Sequence, residues 1–137
     1  MDLYAENILD HYRDPRHKGV LANADITHSE ANISCGDEVT LHIRIEDNRI
    51  ADIAWEGTGC AISQAGISIL CEELHGMSVH DATALTKEDI YELLGIPVGP
   101  RRFKCALLCL HTLKNALHIC EGEPVQDWLQ TVEIEDE

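Results

Sequence analysis

The chain has 137 residues, of which 45% are hydrophobic, and this composition indicates one globular domain rather than a disordered chain. Its formal net charge of −15 argues against general nucleic-acid binding, because contacts to phosphate need lysine and arginine. No apolar run approaches a membrane span and the N-terminus lacks a signal-peptide core, so we expect a cytoplasmic protein that does not bind a membrane. In that reducing compartment, six cysteines indicate metal-binding or catalytic sulfur rather than a disulfide framework.

The first half of the chain predicts a helix followed by a small sheet. A helix is expected over 2–12, because Asp14-Pro15 disfavours its continuation, and a short edge strand is expected over 27–33. Apolar and polar residues alternate from 39 to 46, and Asp47-Asn48 is a turn pair. We therefore predict a β-hairpin over 38–56.

The second half predicts helices. A helix over 61–75 is indicated by residues at helical spacing, which are Ile62, Gly66, Ile69, Leu70 and Glu73. Short helices are expected over 79–85 and, after a capping box at Thr86, through 94. A loop over 95–100, a long helix over 104–119, a last helix from Glu123-Pro124 to 131 and a frayed tail over 133–137 complete the prediction. This order predicts an α+β fold, a single domain over 1–137 in which a small antiparallel sheet of three strands carries helices on one face.

Three cysteines stand where one predicted element gives way to the next. Cys35 precedes the hairpin and is followed by Asp37, Cys60 follows a glycine-rich turn at a helix start, and Cys105 stands at the start of the long helix. Three thiolates and one carboxylate would suit a tetrahedral metal ion or a small iron–sulfur cluster. The intervals of 25 and 45 residues contain no tight CxxC pair, so three unrelated core cysteines remain the alternative.

The other cysteines are predicted to lie outside such a site. Cys71 follows Cys60 on the same helix by about 16 Å at the usual rise per residue, so both cannot bind one metal ion, and Cys71 is expected in the core. Cys109 lies one turn beyond the third cysteine in an apolar run, which favours core packing, and Cys120 near a helix end is expected to be incidental.

The histidines are also expected to take no part in metal binding. His42 falls on the polar face of its strand and is predicted to be solvated. Surface positions are expected for His111 and His118 on the long helix.

Several motifs together resemble a known family. They are Cys-Gly-Asp at 35–37, Gly-x-Gly-Cys-Ala-Ile-Ser at 57–63 and Lys-Cys-Ala at 104–106. In combination they are similar to the iron–sulfur cluster scaffold family of IscU, SufU and the N-terminal domain of NifU. The opening segment over 3–17 resembles the first helix of the family, and the pattern over 86–94 is similar as well, so the resemblance spans about residues 3 to 120.

The resemblance implies a scaffold for iron–sulfur cluster assembly. Such a protein accepts persulfide sulfur from a cysteine desulfurase, binds iron, holds a transient [2Fe–2S] cluster and transfers it to apo iron–sulfur acceptor proteins. The implied ligands are Cys35, Asp37, Cys60 and Cys105, with zinc at the same site in the cluster-free form. A carboxylate among thiolates would make the cluster easier to release.

Local charge favours Cys105 as the persulfide acceptor. It follows Arg101, Arg102 and Lys104 at a predicted helix start, and all of these features stabilise an anionic sulfur. Lys104 and Arg102 are therefore assigned a role beside the acceptor thiol.

The chain combines features of two branches of the family. Lys104 stands where IscU proteins usually have histidine, as in the SufU branch, yet the 44 residues between Cys60 and Cys105 match the shorter IscU length. The segment over 98–102 differs from the one by which IscU proteins engage their chaperone. A zinc-dependent sulfurtransferase that relays persulfide without building a cluster is the alternative, a structural zinc site is a third possibility, and a monomer or a dimer fits the sequence.

Overall fold

The computed structural model describes residues 3–32, 36–95 and 103–122. Their elements in chain order are α1 (Leu3–Arg13), β1 (Ile26–Asn32), β2 (Asp37–Glu46), β3 (Arg49–Thr58), α2 (Ala61–Leu74), α3 (Val79–Thr83), α4 (Lys87–Leu94) and α5 (Phe103–Cys120). The α+β class is confirmed, with an antiparallel sheet of three strands in the order β1-β2-β3. None of the helices in the described ranges is long and apolar enough to cross a membrane.

The hairpin of β2 and β3 is confirmed and forms the centre of the sheet. Its turn residues Asp47 and Asn48 both have positive φ, 54° and 61°, which matches the right-handed twist of the two strands. The alternation over 39–46 faces the apolar side chains of Val39, Leu41 and Ile43 into the core, where they are fully buried. The register sets Gly57 opposite Val39 and Thr58 opposite Glu38, so the end of β3 lies beside the start of β2.

The helices that contact the sheet pack on its apolar side. Helix α5 lies against β1 and β2, α2 lies against β3 and α5, and α1 and α4 pack onto α2. One cluster of buried apolar residues joins the sheet to all five helices, which is the single core expected from the composition. Helix α2 confirms the predicted helix at 61–75, but Glu73, one of the residues at helical spacing, is exposed.

The connection between α3 and α4 explains why α3 is shorter than predicted. It ends at Thr83 instead of Leu85, because Thr86 must be extended (φ −119°, ψ 171°) to cap α4. The capping box is confirmed: the Thr86 hydroxyl accepts from the Asp89 N–H, and the Asp89 carboxylate accepts from the Thr86 N–H at 2.8 Å. Aspartate thus takes the place of the usual glutamate.

Two expectations about histidines were wrong. His42 is only 6% exposed, because its ring is hydrogen-bonded to the Thr27 hydroxyl and paired with Glu56, each at 3.1 Å. His111 is 4% exposed and lies 3.4 Å from a carboxylate oxygen of Glu30 on β1. Polar partners on a neighbouring strand allow both rings to be buried. His118 is half-buried.

Other predictions fall on residues outside the described ranges. They are most of the loop over 95–100, the helix over 124–131 and the acidic tail over 133–137. The span of one domain over the whole of 1–137 therefore stays a prediction.

Candidate metal centre

Three of the four proposed ligands meet at one end of the sheet. Asp37 is the first residue of β2, Cys60 is the N-cap of α2, and Cys105 lies in the first turn of α5. One carboxylate oxygen and the two sulfurs lie within 4.8 Å of one another. Cys35 lies outside the described residues, so its place beside them stays a prediction.

The two cations assigned next to Cys105 differ in what the structure describes. Lys104 directly precedes that thiol in the first turn of α5 and is half-buried. Arg102 lies outside the described residues. Their roles beside the thiol stay predictions.

The carboxylate of Asp37 is buried and only half satisfied. The residue is 1% exposed, and its Oδ1 accepts the N–H of Cys60 at 2.9 Å. Its Oδ2 is buried without a hydrogen-bond partner from the described part of the chain. Burial of a carboxylate oxygen without a partner is costly, and a cation removes that cost. With two cysteine sulfurs close to it, the carboxylate completes a donor set that fits zinc or iron.

Glycine at position 59 is required by the position of that carboxylate. Gly59 has φ +146°, and a Cβ there would collide with Asp37 Oδ1 and lie 2.8 Å from the Ser63 hydroxyl. Gly57 meets a similar limit, because a Cβ there would collide with the main-chain carbonyl of Glu38. The two glycines of the Gly-x-Gly-Cys motif thus allow β3 to pass close to β2 and deliver Cys60 to Asp37.

The two described cysteines of the site each stand at the N-terminal end of a long helix. Cys60 has extended backbone angles (φ −73°, ψ 167°), and its side chain makes no capping hydrogen bond, so its sulfur is not engaged by the helix. Cys105 is 2% exposed and lies in the first turn of α5. Free N–H groups and the helix dipole stabilise anionic groups at such ends, which suits two thiolate ligands.

Sequence reasoning missed Asn32. This last residue of β1 is 3% exposed, and its side-chain amide donates to Cys105 Sγ at 3.9 Å, a long contact of the kind that sulfur acceptors make. The available signal was its place three residues before Cys35 at the end of a predicted strand. Period-two patterning does not show that a polar residue on the buried face contacts the helix above it.

Comparison with known proteins places the chain in a family. The family model described as NifU-like N terminal domain matches residues 3–126. This chain belongs to that family.

Members of the NifU-like family that resemble the chain carry two kinds of name. The IscU iron–sulfur cluster assembly scaffold protein of Thermotoga maritima is 34% identical, over 84% of this chain and 92% of its own length. The zinc-dependent sulfurtransferase SufU of Bacillus subtilis is 32% identical, over 88% of this chain and 92% of its own length. The crystal structure of FiSufU from Fervidobacterium islandicum AW-1 superposes with a TM-score of 0.72 at 30% identity, covering 82% of this chain and 94% of that one.

The other described cysteines of this NifU-like chain are not part of the cluster able to hold a metal ion. Cys71 and Cys109 are buried in the core, as predicted. Burial raises the pKa of the Cys71 thiol well above its usual range and raises that of Cys109 to about 12, so both stay protonated. Cys120 is exposed at the end of α5, where partial burial and then Asp25 raise the pKa of its thiol.

Several buried or half-buried histidines are paired with glutamates, among them His11, which lies 3.4 Å from Glu72. His28 lies 2.7 Å from Glu30, and His42 and His111 have the glutamate partners described above. Within the described ranges, the cluster able to hold a metal ion contains no histidine. That the histidines take no part in metal binding stays a prediction.

Proposed function

We propose that this protein is a scaffold for iron–sulfur cluster assembly, a carrier rather than an enzyme. The observation that carries the proposal is the buried, half-satisfied carboxylate of Asp37 within 4.8 Å of the thiols of Cys60 and Cys105. Cys35 is the proposed fourth ligand. The cluster is the cargo of the site, and zinc occupies the same ligands when no cluster is present.

The mixed ligand set supports a temporary cluster. Thiolates bind iron strongly, whereas a carboxylate oxygen is a harder ligand that suits iron in the cluster less well. The Cys60 N–H holds one oxygen of Asp37 in place and leaves the other oxygen for the metal. Asp37 is therefore the proposed exit ligand, which exchanges first when an acceptor protein takes the cluster.

Sulfur delivery is proposed to occur at Cys105. Its thiolate attacks the terminal sulfur of a persulfide on a cysteine desulfurase, a new S–S bond forms on Cys105, and the desulfurase cysteine leaves as a thiolate. Conversion of the transferred sulfur to sulfide takes two electrons from an external reductant, such as a low-potential electron-transfer protein. Lys104 and Arg102 are the cations proposed to stabilise the persulfide anion.

Exposure makes Cys60 the competing acceptor. Cys60 is half-buried, whereas Cys105 is 2% exposed, so attack by Cys105 requires its sulfur to be uncovered when the donor docks. Mass spectrometry after reaction with a desulfurase and cysteine locates the one-sulfur adduct. An adduct mainly on Cys60 would show that accessibility rather than local charge selects the acceptor.

Anaerobic absorption spectroscopy tests the scaffold proposal. The purified protein is incubated with iron(II), cysteine, a desulfurase and a reductant, and we expect the visible bands of a [2Fe–2S] cluster, followed by their transfer to an apo acceptor protein. Cys60→Ser should abolish the bands, and the matched control Cys120→Ser should keep them. Failure of the parent protein to develop a cluster, while it still accepts sulfur, would contradict the proposal.

The same experiment distinguishes the scaffold from the second candidate function, a zinc-dependent sulfurtransferase. A zinc-dependent sulfurtransferase is favoured by Lys104 before the third cysteine and by the similarity to the SufU protein of Bacillus subtilis. Such a protein would form the adduct only with zinc bound and would pass sulfur onward without visible cluster bands. The proposed partners are a cysteine desulfurase and apo acceptor proteins in the cytoplasm, and the net charge of −15 disfavours nucleic acid.

A further inference from the structure

The sulfur of Cys105 is contacted by a side chain of β1. Asn32 ends β1, is 3% exposed, and places its amide nitrogen 3.9 Å from Cys105 Sγ. A thiolate sulfur only accepts hydrogen bonds, so the NH₂ group of the amide faces it.

Asn32 also connects the other parts of the site. Its Cα pairs in register with Asp37 across β1 and β2, and its main-chain carbonyl accepts the N–H of Gly36 at 3.0 Å. One residue therefore closes the return from β1 to β2, lies beside the strand position of the carboxylate ligand and contacts the thiol ligand on α5.

The contact belongs to a polar seam between β1 and α5. We use this name for the side chains of His28, Glu30 and Asn32 on β1 with Cys105, His111 and Asn115 on α5. Asn115 donates to Glu30 at 2.8 Å, so this part of the seam attaches β1 to α5 without the contact that Asn32 makes. Asn32, at the other end of the seam, contacts Cys105, which is a proposed metal ligand. This contact indicates that Asn32 does more than hold β1 against α5.

We infer that Asn32 is a positioning residue that directs the sulfur of Cys105 toward the metal and donates a hydrogen bond to it in the loaded site. The inference rests on the proposed function, because it assigns Asn32 a role toward the metal held by Asp37, Cys60 and Cys105. Mutation of a group that orients a ligand from outside the coordination sphere typically lowers metal affinity by about 10- to 100-fold. Hydrogen bonds to ligand sulfur also change the electronic properties of the bound metal.

Two substitutions remove the amide in different ways. Asn32→Leu keeps a similar volume without a donor, and Asn32→Thr places a residue that suits a strand but is too short to reach the sulfur. Asn115→Leu is the matched control, because it removes a buried amide from the same seam at a distance from the ligands. Thermal unfolding of each metal-free variant establishes that it is folded before metal is added.

Zinc affinity, measured by competition with a chromophoric chelator, is the first readout. We expect Asn32→Leu and Asn32→Thr to weaken binding by about 10- to 100-fold, while Asn115→Leu stays within about threefold of the parent. The cobalt(II)-substituted proteins provide the second readout. Loss of a hydrogen bond to sulfur raises the energy of its lone pairs, so the sulfur-to-cobalt charge-transfer band should move to longer wavelength only in the Asn32 variants.

Each outcome decides the inference. Equal zinc affinity and an unmoved cobalt band in both Asn32 variants would overturn it and leave the proposed function intact. Equal weakening in the Asn115 variant would also overturn it, because the effect would then come from loosening the seam. If the parent itself bound no zinc, the proposed metal site would be wrong and the role of Asn32 would fall with it.

Discussion

At the scale of single residues, the site depends on a close approach between a glycine and a carboxylate. Gly59 leaves the space that Asp37 Oδ1 occupies, and the same oxygen accepts the Cys60 N–H. A side chain at position 59 would therefore move a proposed ligand directly. It would also force an unfavourable backbone conformation, since φ is +146°.

A comparison of Gly59→Ala with Gly76→Ala separates displacement of the Asp37 carboxylate from backbone strain. Gly76 also has positive φ, +88°, but a Cβ there meets nothing within 4 Å. We expect both variants to lose about 1–3 kcal/mol of unfolding free energy from backbone strain, measured by urea denaturation of the metal-free proteins. Only Gly59→Ala should also lose zinc affinity, by tenfold or more.

Similar zinc affinities for the two glycine variants would contradict the importance of this approach. The carboxylate would then be able to move away from the new methyl group and still reach the metal. Stability is a folding equilibrium and zinc affinity is a binding equilibrium, so both can be measured without an activity assay.

At the scale of elements, α1 is attached to α2 through a buried histidine. His11 Nδ1 lies 2.8 Å from the Ser68 hydroxyl, and its Nε2 lies 3.4 Å from Glu72. The Arg16 N–H donates to the same hydroxyl at 2.8 Å, which leaves the Ser68 O–H to donate to the neutral ring. Burial, followed by the nearby Arg16 charge, lowers the pKa of His11 below its usual 6.5.

The lowered pKa of His11 predicts a pH dependence of stability with a definite sign. The folded protein binds a proton at this ring less readily than the unfolded chain, so its contribution is full above about pH 6.5 and is lost as the pH falls toward the folded-state pKa. Urea unfolding at pH 7.5, 6.5 and 5.5 should show the stability advantage of the parent over His11→Gln shrinking as the pH falls. His80→Gln, at an exposed position, is the control.

An advantage over His11→Gln that stayed constant or grew at low pH would contradict this assignment. A constant advantage would mean that folding leaves the pKa of the ring unchanged, and a growing one that the charged ring is stabilised in the folded protein by Glu72. The hydroxyl of Ser68 would then have to accept from both the ring and the Arg16 N–H.

The elements themselves were accessible from sequence wherever one periodicity was clear. Strict alternation over 39–46 and the Asp47-Asn48 turn predicted the hairpin, and the Thr86 capping box predicted α4. Helix α3 ends at Thr83, two residues before its predicted end. The extended conformation that Thr86 needs to cap α4 prevents the preceding helix from continuing. His42 and His111 were placed on the surface, because their glutamate partners lie 14 and 81 residues away in sequence.

The site was less accessible from sequence than the fold. The meeting of Asp37, Cys60 and Cys105 depends on the register of β3 on β2 and on the packing of α5 over the sheet, and neither is visible in cysteine spacing. Family motifs supplied that information. Asn32 was missed because its contact with Cys105 spans 73 residues.

At the scale of the whole molecule, the core and the site occupy different parts of one fold. A continuous apolar cluster fixes the sheet against α2 and α5. Asp37, Cys60 and Cys105 lie at the sheet end where both of these helices begin. The core thus positions proposed ligands from three separate elements, while the proposed metal-binding end is built from polar and sulfur groups.

X-ray absorption of the zinc-loaded protein tests the central claim that these residues form one metal site. We predict three sulfurs at about 2.3 Å and one oxygen at about 2.0–2.2 Å, from Cys35, Cys60, Cys105 and Asp37. Cys35→Ser and Cys60→Ser should each remove one sulfur, and Cys120→Ser should change nothing. Zinc bound by histidine nitrogen with fewer than two sulfurs, or a spectrum unchanged by Cys60→Ser, would contradict the shared site.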